Sequence, residues 1–275
     1  MRVLKLLRRR WRVLALTSDP ARMPALRAAG AVPVLGNLDS AQSLLRLAGM
    51  ADAVLHLAPP PVEGLQDLRT RNLLAALMRR KTPKAMVYVS TSGVYGDCQG
   101  ARFEETRALK PASARAIRRV DAEARARAFG RKSGARVCVL RVPGIYAGDR
   151  PGGHPRERLL RGTPVLERGQ DVYTNHIHAD DLARICVAAL QRGLPQRVYH
   201  ACDDTEMLMG DYFELVGQLS GLPAPQRLAA AQMQQAVSPM QWSFMSESRR
   251  LDNTRMKREL RFKLRYPTVH QGLLA

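Results

Sequence analysis

The chain has 275 residues, of which 45% are hydrophobic, so it can form one large α/β domain or one such domain with a smaller lobe. No apolar run approaches the roughly 20 residues that cross a bilayer, and the VLAL run near the N-terminus is too short for a signal peptide. The net charge is +20, and 37 of the 44 basic residues are arginine. The composition excludes a membrane-spanning protein and favours an anionic partner.

Strand and helix patterns alternate along the first half of the chain. Helices are predicted at 1–10, 19–29, 40–48, 63–80 and 112–132, and strands at 11–17, 31–35, 51–57, 85–91 and 135–142. Strands separated by helices indicate a parallel sheet with right-handed crossovers.

Beyond residue 143 the alternation weakens, although a helix at 179–191 and a strand near 197–202 continue it. The remaining residues are mostly helical, with loops that contain proline. We therefore predict a doubly wound α/β, Rossmann-like domain with a small, mainly helical C-terminal lobe. The expected domains are residues 1–142 with about 175–202, and residues 143–174 with 203–275.

The first predicted helix has no strand before it. A dinucleotide-binding unit normally begins with a strand and a G-x-G-x-x-G turn, whose backbone N–H groups hold the pyrophosphate. The first glycine of this chain is Gly30. We expect that this strand, which would lie between those at 11–17 and 51–57, and its turn precede Met1 in the natural protein.

Four segments of the chain occur in a familiar order. They are VYVSTSGVYG (87–96), LRVPGIYAGDR (140–150), NHIHADDLARI (175–185) and SRRLDNTRMKREL (248–260). Together they resemble the extended short-chain dehydrogenase/reductase superfamily, in its NAD(P)-dependent epimerase/dehydratase branch. The resemblance covers essentially the whole chain and implies NAD or NADP as cofactor and a nucleotide sugar or similar anionic substrate. It also implies a possible homodimer through the helices at 63–80 and 112–132.

In that family the residue that ends the second strand selects the nucleotide. Thr17 and Ser18 stand there, with Arg22 one turn further on, which favours NADP over NAD. Alternatively, Ser18 or Asp19 is only a helix N-cap. The other cofactor contacts that the resemblance implies are Asn37, Leu38, Leu57, Ala58, Pro59, Pro143 and Gly144.

The catalytic motif of the family is a Ser or Thr together with Y-x-x-x-K on a helix. Thr91 matches the first position, but Arg115 and Arg119 stand where Tyr and Lys are expected. Arginine has a pKa above about 12 and cannot be the base, although Arg119 can still hydrogen-bond a ribose or phosphate. Tyr95 and Tyr146 are the candidates to replace the tyrosine, or else they pack or line the substrate.

The resemblance places the substrate beside the loops at 91–97 and 142–150. The expected contacts are Ser92, Gly93, Tyr146 and Arg150, the last a cation suited to a diphosphate or else simply a solvated surface residue. The H-x-H pair at His176 and His178, with Asp180 nearby, has the spacing of a metal site, because it places both rings on one face of a strand. Asp180 and the next acid fit the N-cap and first turn of a helix, and the resemblance accounts for the same segment without a metal, so no metal is expected.

Arginines are concentrated at 115–132, 156–161 and 249–261, as on a nucleic-acid surface. Acidic residues are interleaved with them and few aromatic residues are available for stacking, so nucleic acid is not the expected partner. The four cysteines form no C-x-x-C pair, which indicates a reduced, cytoplasmic compartment.

Three functions remain open. The first is an enzyme of the epimerase/dehydratase type with a non-standard active site. The second is a non-catalytic dinucleotide-binding sensor or scaffold, which the loss of Tyr and Lys favours. The third is nucleic-acid binding through the arginine-rich segments.

Overall fold

The structure, a computed structural model, describes residues 1–149 and 152–275. The described residues form eleven α-helices. They are α1 (Arg2–Leu7), α2 (Met23–Ala28), α3 (Leu68–Leu77), α4 (Ala114–Ser133), α5 (Arg156–Leu160), α6 (Ala179–Arg192), α7 (Met209–Ser220), α8 (Ala230–Ala236), α9 (Pro239–Met245), α10 (Thr254–Glu259) and α11 (Val269–Leu273). None of these helices has the length and apolar character that crossing a membrane requires.

Fourteen strands, most of them short, accompany these helices in the described part of the chain. They are β1 (Leu14–Thr17), β2 (Val32–Leu35), β3 (Ala53–His56), β4 (Ala85–Thr91), β5 (Arg102–Phe103), β6 (Arg136–Val142), β7 (Gly144–Tyr146), β8 (Val165–Leu166), β9 (Tyr173–Thr174), β10 (His176–His178), β11 (Val198–His200), β12 (Met207–Leu208), β13 (Arg227–Leu228) and β14 (Arg250–Leu251). Short 3₁₀ turns occur at Pro20–Arg22, Gln42–Leu47, Ser92–Tyr95 and Arg168–Gln170.

The central sheet has four parallel strands in the order β11-β6-β4-β3. Strands β4 and β6 are buried almost throughout, because helices cover both faces of the sheet. One apolar core lies between the sheet and α6, and a second lies between the sheet and helices α3 and α4. The α/β fold with a parallel sheet, predicted from the sequence, is confirmed.

Strands β1 and β2 form a separate parallel pair. Within the described residues no strand links β1 to β3, where the sequence predicts that the first strand of a dinucleotide-binding unit would lie. Residues 14–16 of β1 are only half-buried, whereas the central strands are covered. The sheet is therefore divided at that position in this chain.

A third core holds the C-terminal part together. Tyr146, Val165, Phe213 and Met245 are among its buried members, contributed by short strands and by helices α7 and α9. Small sheets connect this part to the rest, including the parallel pairs β7–β10 and β5–β14. The domain boundaries proposed from the sequence stay a prediction.

Two predicted helices differ from the observed elements. Residues 42–47 form a 3₁₀ turn rather than an α-helix. The helix predicted at 63–80 begins only at Leu68, because Asp67 accepts a hydrogen bond from the Thr70 N–H and caps it (2.9 Å). Before that cap, three consecutive prolines and the left-handed Gly64 (φ 74°) prevent helix formation.

Candidate active site

A small pocket lies at the carboxyl end of β4. Thr91 ends this strand, and its Oγ1 accepts a hydrogen bond from the Gly93 N–H (3.3 Å), which starts the following 3₁₀ turn. The pocket is lined by Thr91, Gly93, Ser113, Arg115, Ala116, Ser243, Phe244 and Glu247. The central sheet and α4 thus form one wall, and residues at and after α9 form the other.

Arg115 lies in the first turn of α4, which Ser113 caps by accepting the Ala116 N–H (3.2 Å). Its guanidinium packs over the Phe244 ring, 5.3 Å from the centroid. The pKa of Arg115 is lowered, first by burial around the guanidinium and then by the nearby Arg119 and Arg118 charges. The structure therefore brings Thr91 and a cationic Arg115 together in one pocket.

Glu247 is the carboxylate of this pocket, and sequence reasoning missed it. Its side chain is only 11% exposed, and Oε2 accepts a hydrogen bond from Arg249 Nη2 (2.5 Å). Arg249 Nη1 donates to the carbonyl oxygens of Ser92 and Gly96 (3.2 and 2.9 Å). Arg249 thereby ties Glu247 to the turn after β4. The feature of the sequence that could have indicated Glu247 is its position directly before the SRRL segment, which the family resemblance includes.

Arg119 is buried against the sheet and does not line the pocket. Its Nη1 donates to the Tyr88 hydroxyl (3.0 Å) and to the Val89 carbonyl oxygen (2.8 Å). Its Nε is buried without a hydrogen-bond partner among the described residues. Arg119 thus holds α4 to β4 through its Nη1.

Tyr95 does not face the pocket, in contrast to the expectation from the sequence. It is 1% exposed, and its hydroxyl lies 2.6 Å from both His200 Nε2 and Arg141 Nη1. Burial raises the pKa of Tyr95 to about 12, more than the nearby Arg141 lowers it. The 3₁₀ turn directs this ring into the interior, so Tyr95 does not line the pocket.

Tyr146 is also interior. It is 3% exposed and belongs to the third core, and its hydroxyl has no hydrogen-bond partner among the described residues. Burial raises the pKa of Tyr146, so its phenol stays protonated. Of the other expected substrate contacts, Gly93 lines the pocket and Ser92 is buried beside it. Arg150 lies outside the described residues.

The turn after β1 contains the predicted nucleotide-selecting residues. Thr17 is buried, and its Oγ1 accepts the Asp19 N–H (3.2 Å). Asp19 in turn accepts the Ala21 N–H (2.9 Å) and caps the 3₁₀ turn. The cap is therefore Asp19, which leaves the exposed Ser18 and Arg22 at the end of β1 free to contact a ligand.

The remaining predicted cofactor residues follow the neighbouring strands, and their polar groups are partly occupied. The Asn37 side chain accepts the Asp39 N–H (2.9 Å), and the carbonyl oxygen of Leu38 accepts from Asn72 (3.0 Å). The carbonyl oxygen of Pro59 accepts from Arg69. Ala58 stands between Leu57 and Pro59, and Pro143 and Gly144 follow the buried β6 as partly exposed residues.

Large apolar side chains are exposed at this edge of the sheets. Leu35, Leu57 and Val62 are 43, 45 and 86% exposed, and they follow or end β2 and β3. An apolar surface at the carboxyl ends of parallel strands fits the adenosine half of a dinucleotide. A glycine turn for the diphosphate has no counterpart in the sequence, whose first glycine is Gly30.

The histidines of the H-x-H segment have other partners. His176 is buried and stacks on Tyr212, with ring centroids 3.9 Å apart. His178 Nδ1 accepts the Asp180 N–H (3.2 Å) and so caps α6. In the described ranges no group of three His, Cys, Asp or Glu side chains is arranged to hold a metal ion. The segment serves helix capping and packing.

Several solved structures resemble the whole chain. A functionally unknown conserved protein from Silicibacter pomeroyi is 31% identical, with 99% of this chain and 93% of that chain covered and a TM-score of 0.78. UDP-glucose 4-epimerase from Thermotoga maritima is 20% identical (99% and 91% covered, TM-score 0.79). UDP-glucuronic acid 4-epimerase from Bacillus cereus, solved with NAD, is 17% identical (98% and 91% covered, TM-score 0.76).

A search of curated proteins gave no match. The family model described as the NAD dependent epimerase/dehydratase family matches residues 2–202, which is well over half of the chain. The chain therefore belongs to the NAD-dependent epimerase/dehydratase family.

Proposed function

We propose that this protein is an NAD(P)-dependent oxidoreductase of the epimerase/dehydratase type that acts on a nucleotide sugar or a similar anionic small molecule. The observation that carries the proposal is the pocket after β4, where a hydroxyl (Thr91), a guanidinium (Arg115) and a carboxylate (Glu247) line the same space. Family membership and the similarity to two nucleotide-sugar epimerases support the substrate class.

Oxidation of a sugar hydroxyl needs a proton acceptor and groups that stabilise the developing charge on oxygen. Arg115 stays protonated and the Tyr95 and Tyr146 hydroxyls are buried elsewhere, so Glu247 is the proton acceptor in this proposal. Thr91 Oγ1 and the Arg115 guanidinium hold the substrate oxygen. Hydride transfer from and back to the carbon that bears this hydroxyl is the chemistry that a nicotinamide dinucleotide would supply when bound.

The residues around β1 to β3 are the ones that would hold the adenosine half of the cofactor. Arg22 and Ser18 are suited to a 2′-phosphate, which favours NADP. Asn37 with Leu38 would contact the adenine, and the Leu57–Pro59 segment would pass along the ribose. In calorimetric titrations we expect the chain to bind NADPH more tightly than NADH. Arg22→Gln should lose this preference.

The activity test uses the purified chain with NADP or NAD and a panel of nucleotide sugars, with products separated by chromatography. We expect turnover that falls about 100-fold or more in Glu247→Gln, as for loss of a general base. Glu157→Gln, at a half-exposed glutamate of α5, is the matched control and should retain full activity. Full activity in Glu247→Gln would contradict the assignment of the base.

A second function is favoured by one observation. Arg115 and Arg119 occupy the positions of the family's tyrosine and lysine, and Arg119 is bonded to Tyr88 and Val89 rather than placed in the pocket. A non-catalytic dinucleotide-binding sensor or scaffold has no need of a proton acceptor. Cofactor binding without turnover of any nucleotide sugar would identify this second function and reject the first.

A further inference from the structure

A groove of about 480 Å³ lies on another part of the molecule, between the loop that follows β5, the middle of α4, the start of β11, and α10. We call it the arginine groove. Its volume is within the range of ligand sites, roughly 300–1,000 Å³. The pocket after β4 takes residues 115 and 116 from α4, whereas the arginine groove takes residues 120–127, one to three turns further along. The two sites are therefore distinct.

The walls of the arginine groove carry five arginines and two glutamates. Carboxylates neutralise three of the arginines. Arg141 pairs with Glu123 (2.7 Å), Arg255 with Glu105 (3.3 Å) and Arg197 with Glu259 (2.9 Å). These pairs leave both glutamates of the groove occupied.

Two arginines, Arg107 and Arg127, remain. Neither has an ion pair with an acidic residue in the described part of the chain. Arg107 projects from the loop after β5 and packs over the Phe103 ring, 4.7 Å from the centroid. Arg127 belongs to α4 and is half-buried. Two uncompensated cations on two walls of a concave site concentrate a positive potential that attracts a multiply charged anion.

The rest of the lining is suited to a sugar or base rather than to a bare ion. The half-buried Leu109 and Val120 contribute apolar surface. Gln196 lies in the lining with a left-handed backbone (φ 61°), and its Oε1 is buried without a hydrogen-bond donor among the described residues.

We propose that the arginine groove binds a small phosphorylated molecule, a sugar phosphate or a nucleotide. Arg107 and Arg127 hold the phosphate by charge-assisted hydrogen bonds, for which the planar guanidinium is the best-matched side chain. The ring of the ligand lies against the half-buried Leu109 and Val120. This site does not depend on the proposed enzymatic function.

The test measures the affinity of the full chain for inorganic pyrophosphate and for ribose 5-phosphate by titration calorimetry at low salt. In the double variant Arg107→Gln/Arg127→Gln we expect each affinity to fall at least about tenfold, because two charge-assisted contacts are lost. Arg131→Gln is the matched control, since Arg131 is exposed one turn further along α4 and outside the groove. That variant should bind within about twofold of the natural sequence.

Unchanged affinity in the double variant would overturn the proposal. An equal loss of affinity in Arg131→Gln would also overturn it, because the effect would then reflect overall charge. Tight binding of a DNA duplex, weakened as much by Arg131→Gln as by the double variant, would overturn it for the same reason. A second measurement uses only the natural sequence. Pyrophosphate should protect Arg107 and Arg127, but not Arg131, from modification by phenylglyoxal, and equal labelling of all three would reject the site even if the double variant failed to fold.

Discussion

The buried ion pair between α4 and β6 is the most exacting test of the packing. Glu123 and Arg141 are each 4% exposed at the side chain, with Nη2 to Oε2 at 2.7 Å and Nε to Oε1 at 3.2 Å. Arg141 Nη1 also donates to the Tyr95 hydroxyl (2.6 Å) and to the Glu105 carbonyl oxygen (3.2 Å). Glu123→Gln removes the counter-charge and leaves the guanidinium buried.

Breaking one side of a buried ion pair costs about 3–5 kcal/mol. Glutamine keeps the volume and one acceptor oxygen, so we expect the lower end, about 3 kcal/mol. For a chain of this size that loss corresponds to a decrease in Tm of about 6 °C or more. Urea unfolding followed by circular dichroism measures the free energy of unfolding, with an unchanged m-value as the check on two-state behaviour.

The matched control is Glu157→Gln, because Glu157 is half-exposed and lies 4.0 Å from the exposed Arg161. That change should cost less than about 0.5 kcal/mol. A loss below about 1 kcal/mol in Glu123→Gln would refute the reasoning, since it would mean that the Arg141 charge is compensated without the carboxylate. If Glu123→Gln shows the expected loss, the double variant Glu123→Leu/Arg141→Met should recover much of that stability, because no charge remains buried.

Two further variants test local packing and pH dependence. A Cβ at Gly193 would lie 2.5 Å from the Ala189 carbonyl oxygen and 2.7 Å from Cys138 Sγ, so Gly193→Ala should cost about 1–3 kcal/mol in urea unfolding, whereas Gly169→Ala, in open space, should be near neutral. Burial raises the pKa of Asp203 to about 8, so the folded chain keeps a proton that the unfolded chain releases above about pH 4. This contribution to stability is present at low pH and is lost as the pH rises towards 8. Between pH 5 and pH 9 the free energy of unfolding of the natural sequence should therefore fall by at least about 1 kcal/mol more than that of Asp203→Asn. Parallel pH profiles of the two free energies would contradict this prediction.

The regular elements could be predicted where one strong local pattern decides the structure. The strand predicted at 85–91 is observed with the same bounds, because a continuous apolar run fits only a buried position. The helix predicted at 112–132 is observed as α4, between the Ser113 cap and the left-handed Gly134 (φ 71°). The helix predicted at 63–80 was too long, because the Asp67 cap was overlooked.

The candidate site could be predicted only in part. Thr91 and Arg115 were identified from a motif, and they line one pocket because adjacent elements carry them. Phe244 and Glu247 come from more than 120 residues further along the chain, and no local pattern connects them to Thr91. Nor does sequence spacing show which way a 3₁₀ turn directs a side chain, which is why the interior position of Tyr95 was not foreseen.

The contacts that position α4 explain how this family fold persists without the tyrosine and lysine of its usual motif. Glu123 anchors the helix to Arg141 on β6, and Arg119 anchors it to Tyr88 and Val89 on β4. Neither anchor needs a catalytic group, and Arg119 keeps its position by binding the sheet. Similarity of the fold therefore reflects these contacts and does not by itself establish which reaction the protein catalyses. The proposed chemistry depends on what lines the pocket after β4, and among the described side chains there Glu247 is the one carboxylate.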